Sequence, residues 1–125
     1  MNKQNKTIIG SAILVVILVA IVAFVDTGKT EPGKYDDFAK CLSEKGAVMY
    51  GAASCSHCLE NKKAFGDSFK YINYVECPEN ISACIDVGIG AYPTWLVGTS
   101  TKIVGFEGNS TFEELAKATG CELPK

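Results

Sequence analysis

The pattern of apolar and polar positions divides the chain into a uniform apolar run and a periodic remainder. Residues Ile8 to Val25 carry no charge and only Gly10 and Ser11 among apolar side chains, a run of 18 residues. As a helix it would extend roughly 27 Å, near the thickness of a bilayer hydrocarbon core. It lacks the polar face of an amphipathic core helix. Lys3 and Lys6 precede it, and Asp26 and Glu31 follow, so the positive-inside tendency leaves residues 1–7 in the cytoplasm and the rest outside. The expected layout is a cytoplasmic tail (1–7), a transmembrane signal anchor (8–25), a linker (26–34) rich in Gly and polar residues, and a folded domain (35–125). A cleaved signal peptide is the alternative; Ile21, two positions before Ala23, makes a poor cleavage pattern. Either outcome exports the domain.

Past the linker the periods alternate. Tyr35 to Lys45 places Phe38, Cys41 and Leu42 at helical spacing, with Gly46 where a C-terminal cap belongs. Ala47 to Tyr50 reads as a buried strand. Leu59 to Phe69 reads as a helix, with Gly66 placed to kink it or end it early. Tyr71 to Val75, aromatic and β-branched, reads as a strand. A short helical stretch around Ile81 to Ile85 follows a proline turn. Gly88, Gly90 and Pro93 mark a loop, and Thr94 to Val97 with Lys102 to Phe106 form a hairpin. Ser110 with Glu113 makes a capping box for a helix from Thr111 to Thr119, closed by Gly120. The order α-β-α-β-α-β-β-α predicts an α/β fold, its early strands parallel and an antiparallel hairpin at one edge.

Charge narrows the partners. The chain has 125 residues and a net charge of −2. All its basic residues are lysines, so it has no bidentate arginine fork for phosphate and no basic stripe, which argues against nucleic acid. Lys62 and Lys63 read as a solvated helix face. Cysteine usage is the unusual feature: six, at 41, 55, 58, 77, 84 and 121, all past the apolar run. An even count in a short exported domain fits an oxidising compartment.

Cys55-Ser56-His57-Cys58 stands between the strand ending at Tyr50 and the helix that follows. There the first cysteine meets the unpaired N–H groups and positive dipole end of the helix, which favour a thiolate. Cys55 is therefore the expected nucleophile and Cys58, one turn on, the resolving thiol. His57, the single histidine of the chain, is placed to stabilise the Cys55 thiolate and make the disulfide more oxidising. A structural zinc site would need about four ligands, usually two such pairs. With one C-x-x-C present, no metal is expected, and the remaining alternative is a non-enzymatic binding module whose CSHC disulfide is structural and inert.

The strand AVMYG, the CSHC motif opening a helix, and Tyr92-Pro93-Thr94 before the penultimate strand resemble the thioredoxin superfamily. The stretches FAKCLSEKGAVMYGAASCSHCLENKKAFG and YVECPENISACIDVGIGAYPTW are similar to the thioredoxin-like partners of bacterial and archaeal vitamin K epoxide reductase homologues. The resemblance covers roughly residues 35 to 121. It implies a thioredoxin-like fold, a cis Tyr92–Pro93 bond, and a Tyr92 backbone that offers an edge to the substrate chain. It also implies a relay in which the domain oxidises protein thiols and passes electrons to the membrane partner. A quinone would then enter only through that partner, and the domain would need no cofactor beyond its disulfide. Three positions depart from the pattern: Ser54 replaces a usual tryptophan, Ser56 a frequent proline, and Met49 a buried acid that would accept a proton from Cys58. The reverse flow, an anchored disulfide reductase, stays open.

The other four cysteines allow three pairings. Cys77 with Cys84 as a local loop, and Cys41 with Cys121 as a staple of the chain ends, is the expected set. A second redox pair at Cys77 and Cys84 is the functional alternative. Asn80-Ile81-Ser82 and Asn109-Ser110-Thr111 match a glycosylation pattern that is common by chance. Trp95, Phe106 and Phe112 read as core.

Overall fold

The computed structural model describes residues 17, 32–105 and 108–125. The expected tail, the anchor apart from residue 17, and most of the linker lie outside these, as does Phe106. Among the described residues no helix is long and apolar enough to cross a membrane. The unit from Pro32 to Lys125 is built from helix α1 (Asp36–Glu44), strand β1 (Ala47–Gly51), helix α2 (Ser56–Phe65), a 3₁₀ segment (Gly66–Tyr71), strand β2 (Asn73–Glu76), helix α3 (Ile81–Asp86), strands β3 (Thr94–Val97) and β4 (Thr101–Val104), and helix α4 (Gly108–Thr119).

The sheet order is β2-β1-β3-β4. β1 runs parallel to β2 and antiparallel to β3, and β3 and β4 form the edge hairpin. A mixed four-stranded sheet flanked by helices in this order is a thioredoxin-like α/β fold. Side chains alternate across β1 and β3, so the sheet has two apolar faces. Met49, Trp95 and Ile103 pack with Phe38 and Leu42 of α1, Cys58 and Phe65 of α2, and Phe112 and Leu115 of α4. Tyr50 and Leu96 pack on the other side with Cys77 and Cys84. Phe65 is the hub of the first face: its ring centroid is 4.3 Å from that of Phe112 and 5.7 Å from that of Trp95. Such offset and edge contacts add to area burial about 0.5–1.5 kcal/mol per pair.

Helix ends follow local chemistry. Gly46 (φ 74°) and Gly120 (φ 75°) take the left-handed conformation that closes α1 and α4. Gly66 (φ 57°) ends α2 at Phe65, and the chain continues as 3₁₀, which delays β2 from Tyr71 to Asn73. The start of α1 is pinned where the Ser68 hydroxyl donates to Asp36 Oδ1 at 2.7 Å. The capping box expected at Ser110 is corrected: α4 already includes residues 108–110, so Ser110 is in its first turn and not its cap. The Cys41–Cys121 disulfide (Cα–Cα 5.9 Å) ties α1 to the C-terminal end, and Cys77–Cys84 (5.8 Å) ties the end of β2 to α3.

Candidate functional site

β1 delivers the chain to the redox motif through a tight turn. Cys55 N–H donates to Ala52 O at 3.1 Å, and Ala53 N–H donates to Glu76 Oε1 at 2.8 Å. Cys55 then caps α2 in an extended conformation. Its sulfur accepts the Cys58 N–H at 3.2 Å, and Leu59 N–H reaches its carbonyl at 3.1 Å. One of the orphan donors of the helix start is thus aimed at the Cys55 sulfur.

Cys55 is half-buried and Cys58 fully buried, and both are free thiols. This asymmetry is compatible with the expected roles of an accessible attacking thiol and a shielded resolving one. Burial pushes the Cys58 thiol up to about 11, and the hydrogen bond and charge of Cys55 push the same way, while an Ala52 backbone hydrogen bond and the Lys62 charge act against them. Cys58 is therefore protonated at neutral pH until the chemistry demands otherwise.

Pro93 is buried, its bond to Tyr92 is cis, and Tyr92 is exposed. The β1–β3 register sets Tyr50 opposite Thr94, which carries Pro93 toward Gly51, where the chain leaves β1 for the motif. Gly105 N–H donates to Pro93 O at 3.0 Å. His57 is exposed, with Nδ1 3.2 Å from Glu60 Oε2 one turn along α2. Ser54 is exposed beside Cys55, and Met49 is fully buried in the sheet.

The cysteines at 77 and 84 belong to a different environment. They are bonded to each other and buried on the face of the sheet opposite the one that holds Cys58. The disulfide closes a loop of 7 positions between the end of β2 and α3.

Several residues at the site were not anticipated. Asn61 is completely buried: its amide donates to His57 O at 3.2 Å and approaches Gly105 O at 3.5 Å, and its oxygen accepts the Trp95 indole N–H at 3.1 Å. It joins the first turn of α2 to β3 and to the segment holding Pro93. The available signal was the spacing Cys58, Asn61, Phe65, which puts a polar residue on the core stripe of the helix. Tyr74 and Glu76 alternate onto one face of β2, and the Tyr74 hydroxyl donates to Glu76 Oε2 at 2.5 Å. That bond and the one from Ala53 hold the Glu76 carboxyl below the usual range, and burial followed by Glu76 pushes the Tyr74 phenol well up. The expectation of a solvated Lys62 is corrected: Lys63 is exposed, whereas Lys62 is half-buried with Nζ 3.6 Å from the Tyr74 ring centroid. A cation over an aromatic face is held there by the ring quadrupole.

No family model matches the chain. Over 94 aligned residues it is 42% identical to thiol-disulfide oxidoreductase LTO1 of Arabidopsis thaliana, an alignment that covers 68% of this chain and 24% of the plant protein. The chain thus spans about a quarter of the length of that relative. A thioredoxin-like sheet, a free cysteine pair at a helix start and this similarity together support a thioredoxin-like redox protein.

Proposed function

We propose that the chain is a membrane-tethered, extracytoplasmic thiol–disulfide oxidoreductase that oxidises cysteine pairs in protein substrates through Cys55 and Cys58. The observation that carries this reading is the half-exposed Cys55 sulfur at the start of α2, accepting the Cys58 N–H, with the buried Cys58 thiol behind it. The similarity to a protein named as a thiol-disulfide oxidoreductase supports the activity. The apolar run at residues 8–25 and the two disulfides outside the motif support a tether and an oxidising compartment.

In the forward reaction a substrate thiolate attacks Cys55 Sγ of the Cys55–Cys58 disulfide, and Cys58 leaves. The second substrate thiolate then attacks its own sulfur in the mixed disulfide and releases Cys55. Two electrons pass to the pair. The electrons go on to an integral-membrane vitamin K epoxide reductase-like protein, a partner supported by the sequence resemblance, and reach a quinone only through it. Tyr92, exposed beside cis-Pro93, offers its backbone to the substrate chain, and His57 tunes the potential.

The test is the reduction potential of the pair in the full chain, equilibrated with glutathione. A value at about −200 mV or above is expected, because such a disulfide is readily given to substrate thiols. A value near about −270 mV would reverse the electron flow and make the protein a reductase. Failure to exchange would mark the pair as inert.

A further inference from the structure

Cys58 packs in the same core cluster as Met49 of β1, which carries no charge. Its surroundings instead contain a lysine. Cys58 and Lys62 are four residues apart on α2 and share one helix face. Tyr74 borders both. A Cβ built on Gly51 would lie 2.8 Å from Cys58 Sγ and 3.3 Å from Tyr74 Cε2, so the sulfur and the ring crowd the same point over Gly51. Lys62 Nζ sits over the other part of this cluster, 3.6 Å from the Tyr74 centroid and 5.5 Å from that of Phe69. The Tyr74 hydroxyl is fixed by Glu76, and the second Glu76 oxygen holds Ala53 in the turn before Cys55.

We infer that Lys62 is a positioning residue of the exchange reaction, the cation that stabilises the Cys58 thiolate, and that Tyr74 and Glu76 hold it in place. The inference rests on the proposed redox role of the pair. It applies to both directions of the reaction. In resolution, the Cys58 thiolate attacks Cys55 Sγ of the mixed disulfide, the Cys55–Cys58 bond forms, and the bond from Cys55 to the substrate breaks. The substrate sulfur leaves with the electron pair, and the proton that was on Cys58 has gone to solvent. In substrate oxidation a substrate thiolate attacks Cys55, and Cys58 departs as the thiolate. Each direction passes through an anionic Cys58 in a buried site, where an unpaired charge is costly. The titratable groups around it are Cys55 and Lys62 on α2 and Tyr74 and Glu76 on β2; Met49, Gly51 and Trp95 from the neighbouring strands carry no charge, and His57 pairs with Glu60 on the exposed side of α2.

The magnitude follows from thiol chemistry. If loss of the cation moves the ionisation of Cys58 about one pH unit higher, the thiolate fraction falls about tenfold at neutral pH while its nucleophilicity rises about threefold, a net slowing of about threefold. The experiment uses the reduced full chain and dithiobis-nitrobenzoate in stopped flow. The first release of nitrothiobenzoate reports attack by Cys55, and the second reports resolution by Cys58. K62Q is expected to slow the second release about threefold and move its pH profile up by about one unit, with the first release unchanged. K62R should restore both, and K63Q, which removes an equal charge from the exposed face, should match the wild type. A K62Q profile that does not move, or an equal shift in K63Q, would overturn the assignment of Lys62 while leaving the redox pair intact. A wild-type chain that releases no nitrothiobenzoate from Cys55 would overturn the redox reading itself, and this inference with it.

Discussion

Replacing Asn61 with leucine should destabilise the domain by about 2–4 kcal/mol, through lost hydrogen bonds more than lost volume. Leucine fills nearly the same space, so little cavity is left. The Trp95 indole N–H, fully buried, loses the acceptor it holds at 3.1 Å, and an unsatisfied buried donor costs about 1–3 kcal/mol. The carbonyls of His57 and Gly105 lose their amide donor at 3.2 and 3.5 Å, a smaller penalty because carbonyls tolerate partial satisfaction better. The sum is a large share of the about 5–15 kcal/mol that holds a typical domain together. Urea unfolding followed by the fluorescence of Trp95, the single tryptophan, measures it. With a slope of about 1.5 kcal/mol/M, the midpoint should fall by about 1.3–2.7 M. Asn61→Asp keeps an acceptor for Trp95 but buries a charge and gives nothing to the carbonyls, so it should cost at least as much at neutral pH. A leucine variant whose midpoint drops by less than about 0.3 M at unchanged slope would refute the reasoning, since the buried bonds would then carry no net stability.

The two disulfides should differ in worth. Opening Cys41–Cys121, which spans 80 residues, should cost about 4–5 kcal/mol, and opening Cys77–Cys84, which spans 7, about 2–3 kcal/mol in the chain-entropy model; urea midpoints of the paired serine variants check this, and the opposite ranking would contradict it. Gly51→Ala puts a methyl group 2.8 Å from Cys58 Sγ and should cost about 1–3 kcal/mol as overpacking, with a disturbed Cys58 reaction; an alanine variant with wild-type melting and wild-type exchange would show that the strand gives way freely. The Ser68 hydrogen bond holds the Asp36 carboxyl below its ordinary value of 3.8 despite opposing burial. A depressed carboxyl contributes stability that is complete above the ordinary value and is lost as pH falls through the folded one. Ser68→Ala should therefore flatten the stability loss between about pH 5 and 2, and an unaltered acid limb would count against the pairing.

Much of this architecture was legible because its signals are local. Hydrophobic periodicity marked α1, β1 and the hairpin, and glycines 46, 66 and 120 marked helix ends because a positive φ is easiest for a residue without Cβ. The C-x-x-C motif was legible for the same reason: two thiols three positions apart at a helix start meet whatever the rest of the fold does. Local signals also misled. Ser110 and Glu113 have the spacing of a capping box, yet α4 begins before them. Lys62 beside Lys63 looked like an ordinary solvated pair, and only one of the two is solvated.

By itself the sequence determined the alternation of elements, the C-x-x-C pair and its place at a helix start, since each depends on residues within a turn or two of one another. Tertiary structure alone decided what surrounds the buried thiol. Asn61 meets Trp95 across 34 positions and Ala53 meets Glu76 across 23, contacts that exist only once β1 is paired between β2 and β3. The same pairing brings Tyr74 up to Lys62 and to the point over Gly51. Helix and strand periods say which side of an element a residue occupies; which residues face each other across the sheet follows from register, and register is set by the packing of the whole core.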